Sequence, residues 1–246
     1  KRFFKQIVMS ATYRQAAITT PEKLEKDPQN RFLSRGPRFR MDAEMVRDYA
    51  LAASGLLVEK VGGPSVKPYQ PPGLWEAVAM PESNTKKYKA DTGDGLYRRS
   101  LYTFWKRAAP PASMDIFNAP SREVCTVRRE RTNTPLQALV TLNDPQFIEA
   151  ARRLAETALA TGRTDDEAVQ TMALRLLSRP LTAKETSVVK RTLAGMQAFY
   201  EQQPEAAKQF LAVGDSKPRE ALPAPRLAAM TMVANQLMNL DEVLNK

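Results

Sequence analysis

Histidine is absent from this chain of 246 residues, and cysteine occurs once, at Cys125. Those two shortages exclude Ser-His-Asp and Cys-His nucleophile systems, Cys-x-x-Cys-His haem attachment, zinc sites built on His or several Cys, and imidazole pH switching within the chain. A metal site made only of carboxylates survives the exclusion. A single thiol cannot close an internal disulfide, so cysteine usage says nothing of the redox compartment. No run of about 20 apolar residues occurs, so no membrane-spanning helix is expected. The basic-then-apolar start, Lys1 to Met9, is too short and interrupted for a signal peptide. Aromatic residues make up 7% of the chain, with no aromatic-interleaved strand of the RNA-recognition kind and no zinc-finger spacing.

Glycine is scarce at 10 residues while proline reaches 18, and Leu, Ala, Glu, Gln and Arg dominate long stretches. That balance predicts a mainly α fold of helices joined by proline-marked loops. With 43% hydrophobic residues, the length suffices for a sizeable core, read here as a single domain over 1–246. Thirty-seven Lys and Arg against 27 Asp and Glu give a net charge of +10, which draws in phosphate, sulfate or carboxylate partners without selecting among them. A solvated basic surface is the plainer reading of the same excess.

Helical periodicity and start signals divide the chain. Phe3, Phe4, Ile7, Val8 and Ala11 predict an amphipathic helix over 2–17, which Thr19-Thr20-Pro21 should end. A Pro-, Arg- and Asn-rich ordered loop is expected from Asp27 to Arg40, then a helix over 42–57. From 61 to 133 periodicity gives way to Gly62-Gly63-Pro64, Pro71-Pro72-Gly73, Gly93, Gly95, Pro110-Pro111 and Pro120. This reads as a long irregular insertion with one short β element, an alternating strand between Leu96 and Ala108. Thr134-Pro135, Asp144-Pro145, Thr164-x-x-Glu167 and Thr182-x-x-Glu185 then announce helices over 135–142, 145–161, 165–178 and 183–202. Leu227, Met230, Val233, Ala234, Leu237 and Leu240 mark a docking helix near the C-terminus. Because the chain lacks an initiator Met and opens inside a helical pattern, it reads as a processed product or excised fragment.

Several groups of residues bear on chemistry. Arg128, Arg129 and Arg131 lie just before the Thr134 helix start, so guanidinium forks and free helix N–H groups could hold an oxyanion together. The same arginines could instead pair with Glu123, Glu130, Asp115 or loop carbonyls and pin the insertion. Arg98 and Arg99, with Tyr102, Trp105, Lys106 and Arg107, offer a second anion- or partner-binding surface in which Trp105 stacks. Trp105 and Trp75 could equally be structural. Asp42, Glu44 and Asp48 form the most compact acidic group, better explained by ion pairs with Arg40 and Arg47 than by Ca²⁺ binding or acid–base work. Asp91-Thr92-Gly93-Asp94-Gly95 faintly resembles a calcium loop but lacks the closing Glu, and reads as a turn. Cys125 has no base to activate it and is expected to be a buried, inert thiol.

Many of these segments together resemble one family. Ser10 to Gln15, Asp27-Pro-x-Asn-Arg31, Arg38-x-Arg40-Met-Asp-Ala-Glu44, Arg47-Asp48, Gly62-Gly-Pro-Ser-Val66, Arg98-Arg-Ser-Leu-Tyr102, Asp115 to Pro120, Arg128 to Leu139, Leu142-Asn-Asp-Pro145 and Leu177-Ser-Arg-Pro180 with Thr182 and Glu185 match the DUF1553, or PSD1, family. That resemblance implies the C-terminal part of planctomycete cytochrome c-type proteins, exported and envelope-associated, following a haem-binding region and a DUF1549 domain. Haem would then belong to an upstream domain and no cofactor to this chain, while those upstream domains become expected partners. The family's function is uncharacterised, so no catalytic residue is carried over.

The leading expectation is therefore a non-catalytic accessory or interaction domain, binding an acidic partner or polymer through its Arg-rich centre. A hydrolase acting on acidic or sulfated glycans through Asp42, Glu44 or Asp115 is the alternative, and charge-driven nucleic-acid binding the third.

Overall fold

The structure, a computed structural model, describes residues 1–162 and 164–246, and is mainly helical. The chain divides into two compact units, residues 1–40 with 245–246, and residues 41–244.

The smaller unit holds α1 (Arg2–Val8) and α2 (Pro21–Lys26). The helix expected over 2–17 is cut short at Val8. The Ser10 hydroxyl donates to the Ile7 carbonyl and accepts from Tyr13 N–H, so a side chain replaces the next helical bonds. Pro21 does not merely end a helix. It occupies the first turn of α2, with the Thr20 hydroxyl accepting from Lys23 N–H. The loop after α2 is ordered by buried Asp27, whose carboxylate accepts from Arg31 and Phe32 N–H. Arg35 donates back to the carbonyls of Asp27 and Pro28.

The larger unit is built on α8 (Pro145–Thr161) and α12 (Ala224–Met238), which pack along each other. Small side chains suit such close packing: Ala150, Ala151, Ala155 and Ala158 of α8 and Ala228, Ala229 and Ala234 of α12 are all fully buried. Around this pair stand α3 (Ala43–Ser54), α7 (Pro135–Asn143), α9 (Asp165–Leu177), α10 (Ala183–Gln202), α11 (Pro204–Leu211) and α13 (Asp241–Leu244). The helix starts read from sequence hold their places, with some differences in how they are capped. Asp144 Oδ1 accepts from Gln146 N–H, Thr164 Oγ1 from Glu167 N–H, and Thr182 with Glu185 makes the full reciprocal capping box. The Thr134 hydroxyl does not cap α7; Gln137 is instead buried and donates to the Ile116 carbonyl and Thr132 Oγ1. Arg179 forks onto Glu185 and Glu242, clasping the start of α10 to α13 and holding the Glu185 carboxyl down to about 2.

The insertion contains short helical turns, α4 (Leu74–Val78), α5 (Asp94–Tyr97) and α6 (Ala112–Ile116), with a 3-10 turn over Ser100–Tyr102. The continuous strand expected from Leu96 to Ala108 does not form. Its β character reduces to isolated bridges, Val58 with Arg98, Val66 with Thr103 and Lys106 with Ala109. Alternation there reflects side chains captured one by one: Arg98 and Ser100 are buried by specific polar partners rather than by a pleated face. Among the described residues no helix is long and apolar enough to cross a membrane.

Candidate functional site

The arginines singled out in the sequence do not converge on one pocket. Arg98 is buried and donates to the carbonyls of Pro64, Lys60 and Gly62 while its guanidinium lies 3.8 Å from the Tyr102 ring centre. It pins the Gly62-Gly63-Pro64 loop. Arg129 reaches Glu44 with both Nη atoms, at 2.5 and 3.1 Å, and lies 3.9 Å from Asp42. That fork stabilises both charged forms, so the Glu44 carboxyl is lowered despite its burial and Arg129 is raised. Glu44 is thereby a structural anion. Arg99 and Arg128 are exposed, and their side chains carry no hydrogen bond or ion pair among the described residues. Arg131 is also exposed, on the segment that leads into α7.

Trp105 is half-buried and its indole N–H donates to the Ser121 carbonyl at 3.0 Å, with the Arg122 guanidinium 4.6 Å from the ring centre. Residues 121–128 are all exposed, Cys125 among them, which corrects the expectation of a buried thiol. Trp75 is structural: it is buried, edge-on to Tyr88 at 4.9 Å and beside Phe104 at 5.6 Å. The segment 121–128 is therefore a displayed loop with both ends tied down. Trp105 and Arg122 hold its start, and the Arg129–Glu44 fork ties its end to the first turn of α3.

Sequence reading missed a buried polar cluster on α8. Glu149, Arg152 and Glu156 lie on one face of α8 with relative exposures of 0%, 1% and 0%. Glu149 accepts from Tyr69 and Tyr97 hydroxyls, both at 2.8 Å, and from Ser216 N–H and Oγ at 2.7 and 2.6 Å. Arg152 sits 3.6 Å from Glu149 and 3.4 Å from Glu156, and donates to Ser216. Burial and the Glu149 charge push the Tyr97 phenol up to about 12. Charged residues at i, i+3 and i+7 read as a solvated helix face; only their distant partners bury them.

Tyr69 connects this cluster to an apolar groove of about 560 Å³, lined by Tyr69, Pro71, Pro72, Leu136, Leu139 and Asp144 among others. Burial pushes the Asp144 carboxyl up to about 6, against the opposing effects of the Gln146 N–H and the Arg47 charge. Its unperturbed value is 3.8. The neutral form is thus favoured by folding: its stabilising contribution is complete below the unfolded value and is lost as pH rises through the folded one. Ionising Asp144 in place costs about 2–3 kcal/mol at neutral pH by this linkage. Asp144→Asn keeps an N-capping oxygen but cannot ionise, so its urea-unfolding free energy relative to the parent should improve by that amount between pH 4 and pH 7. Parallel pH profiles for parent and variant would refute the assignment.

These elements define a helical domain whose charged residues mostly brace its own loops, with one arginine-bearing loop left displayed. The chain belongs to the PSD1 family, described as proteins of unknown function (DUF1553), whose family model matches residues 1–193. No curated protein and no solved structure matches it.

Proposed function

We propose that this chain is an accessory interaction domain of a larger exported polypeptide, and that the loop 121–128, with Arg99, presents cations to an acidic partner. The observation that carries this reading is the loop's mounting. A segment fully exposed along its length is fixed at both ends by the Trp105–Ser121 bond and the Arg129–Glu44 fork. Surface loops held by a rigid scaffold can present binding residues at low ordering cost. Arg99 and Arg128 retain their full donor capacity, whereas Arg98 and Arg129 have spent theirs internally.

Charge reversal at both positions, Arg99→Glu with Arg128→Glu, should weaken binding to polyglutamate by about tenfold, equivalent to about 1.4 kcal/mol, and flatten its salt dependence. Neither side chain has an internal partner, so the melting temperature should hold. Unchanged affinity in the double variant would sink the reading.

The hydrolase reading is favoured by one observation, the Asp144 carboxyl at the rim of an apolar groove, pushed up to about 6 by burial. In that reading Asp144 replaces Glu44 as the candidate acid–base group, because Glu44 is held ionised by Arg129.

A further inference from the structure

The first 21 residues contain Lys1, Arg2, Lys5 and Arg14 and no acidic residue; the first carboxylate is Glu22. Within α1 the two kinds of side chain separate. At 3.6 residues per turn, Phe3, Phe4, Ile7 and Val8 share one side, and Lys1, Arg2 and Lys5 the other. No residue of α1 is buried: Phe3 is 69% and Phe4 70% exposed, with Ile7, Val8 and Met9 also open. Tyr13, also exposed, follows in the turn that Ser10 makes. The two phenylalanine rings thus stand mostly open, beside Ile7 at 41% and Val8 at 42% exposure.

We infer that α1 is an interfacial helix that lays its Phe3–Phe4–Ile7–Val8 face on an anionic lipid surface. Charge complementarity selects this occupant. A polar face whose only charges are cationic suits phosphate headgroups, while two phenylalanines and two β-branched side chains can enter the acyl boundary. The lysine and arginine stems extend along the apolar side of that boundary while their charges stay at headgroup level, and Tyr13 can place its ring and hydroxyl across the same depth. With one and a half to two turns of helix, attachment is reversible and salt-sensitive, a peripheral contact rather than an anchor. This surface is distinct from the arginine-bearing loop and goes beyond the partner-binding reading.

The test is co-sedimentation of the full chain with vesicles of phosphatidylglycerol and phosphatidylcholine, compared with phosphatidylcholine alone. The parent should bind the anionic vesicles and bind the neutral ones at least about tenfold less. Phe3→Ser with Phe4→Ser should reduce anionic-vesicle binding by about tenfold or more without moving the thermal melt, since neither ring is buried. Arg99→Glu with Arg128→Glu should leave most of the vesicle binding intact. Three results would each overturn the inference: no binding to anionic vesicles, binding indifferent to the Phe3/Phe4 change, or loss of binding on changing Arg99 and Arg128. A parent that self-associates in sedimentation velocity, and becomes monomeric when Phe3 and Phe4 are changed without affecting vesicle binding, would reassign the face to a second copy of the chain.

Discussion

Glu149→Ala is expected to lower the unfolding free energy of the residue 41–244 unit by about 3–5 kcal/mol, the range for breaking a buried ion pair from one side. Four hydrogen bonds end on this carboxylate, from Tyr69, Tyr97 and both the N–H and hydroxyl of Ser216. Its removal strands Arg152, which is 1% exposed and, among the described residues, keeps only Glu156 as an anionic neighbour. The same carboxylate fixes the chain's return over α8. Gly214 has a φ of +97°, and a Cβ there would stand 2.5 Å from Glu149 Cδ and 2.8 Å from each carboxylate oxygen. Gly214→Ala should therefore destabilise comparably, by strain and by displacing the anion. Glu149→Gln should fall between, since one oxygen can still accept while its amide N–H₂ confronts donors. Urea unfolding followed by circular dichroism reads all three. A loss under about 1 kcal/mol for Glu149→Ala would show that the cluster is not what binds the insertion and the 211–223 loop to α8.

The helical frame was legible because its signals are local. Thr182 with Glu185, Asp144-Pro145 and the apolar spacing of Leu227 to Leu237 each specify an element within a few residues, and α8, α10 and α12 start where those signals fall. Prolines carried a harder ambiguity. Pro21 reads as the end of a helix, yet it and Pro204 both sit in first turns, where the missing N–H costs nothing, and so α2 and α11 were not anticipated. The polar cluster was illegible for a different reason. Glu149 meets Tyr69, Tyr97 and Ser216 across separations of 80, 52 and 67 residues, and no local pattern encodes such a meeting. The arginine-rich run was visible as a group, but its division into braces and free cations depended on where Glu44 and three loop carbonyls came to lie.

Arg47→Met should cost a similar 3–5 kcal/mol and, unlike the Glu149 change, should also disturb the displayed arginines. Arg47 is 3% exposed and directs its donors three ways: to Gln146 Oε1 at 2.9 Å, to the Arg98 carbonyl at 2.8 Å with Ser100 Oγ at 3.2 Å, and to the Leu96 carbonyl at 2.6 Å. Burial lowers its guanidinium to about 10, opposed by Asp48 and Asp144, so it remains charged at neutral pH. Methionine fills much of the volume but leaves two carbonyls buried without donors and deprives the Asp48 carboxylate of its cation, 3.7 Å away. Asp48 in turn accepts from Ser100 N–H and Oγ, at 2.8 and 2.7 Å. The backbone on both sides of Arg99 is thus fixed from α3, through Arg98 O on one side and Ser100 on the other. If Arg99 contributes to binding an acidic partner, Arg47→Met should weaken polyglutamate binding under conditions where the variant is still folded, and Arg47→Lys should restore charge without restoring the three-way fork. Folded Arg47→Met protein that binds polyglutamate as the parent does would separate the brace from the site, leaving Arg47 a purely structural residue.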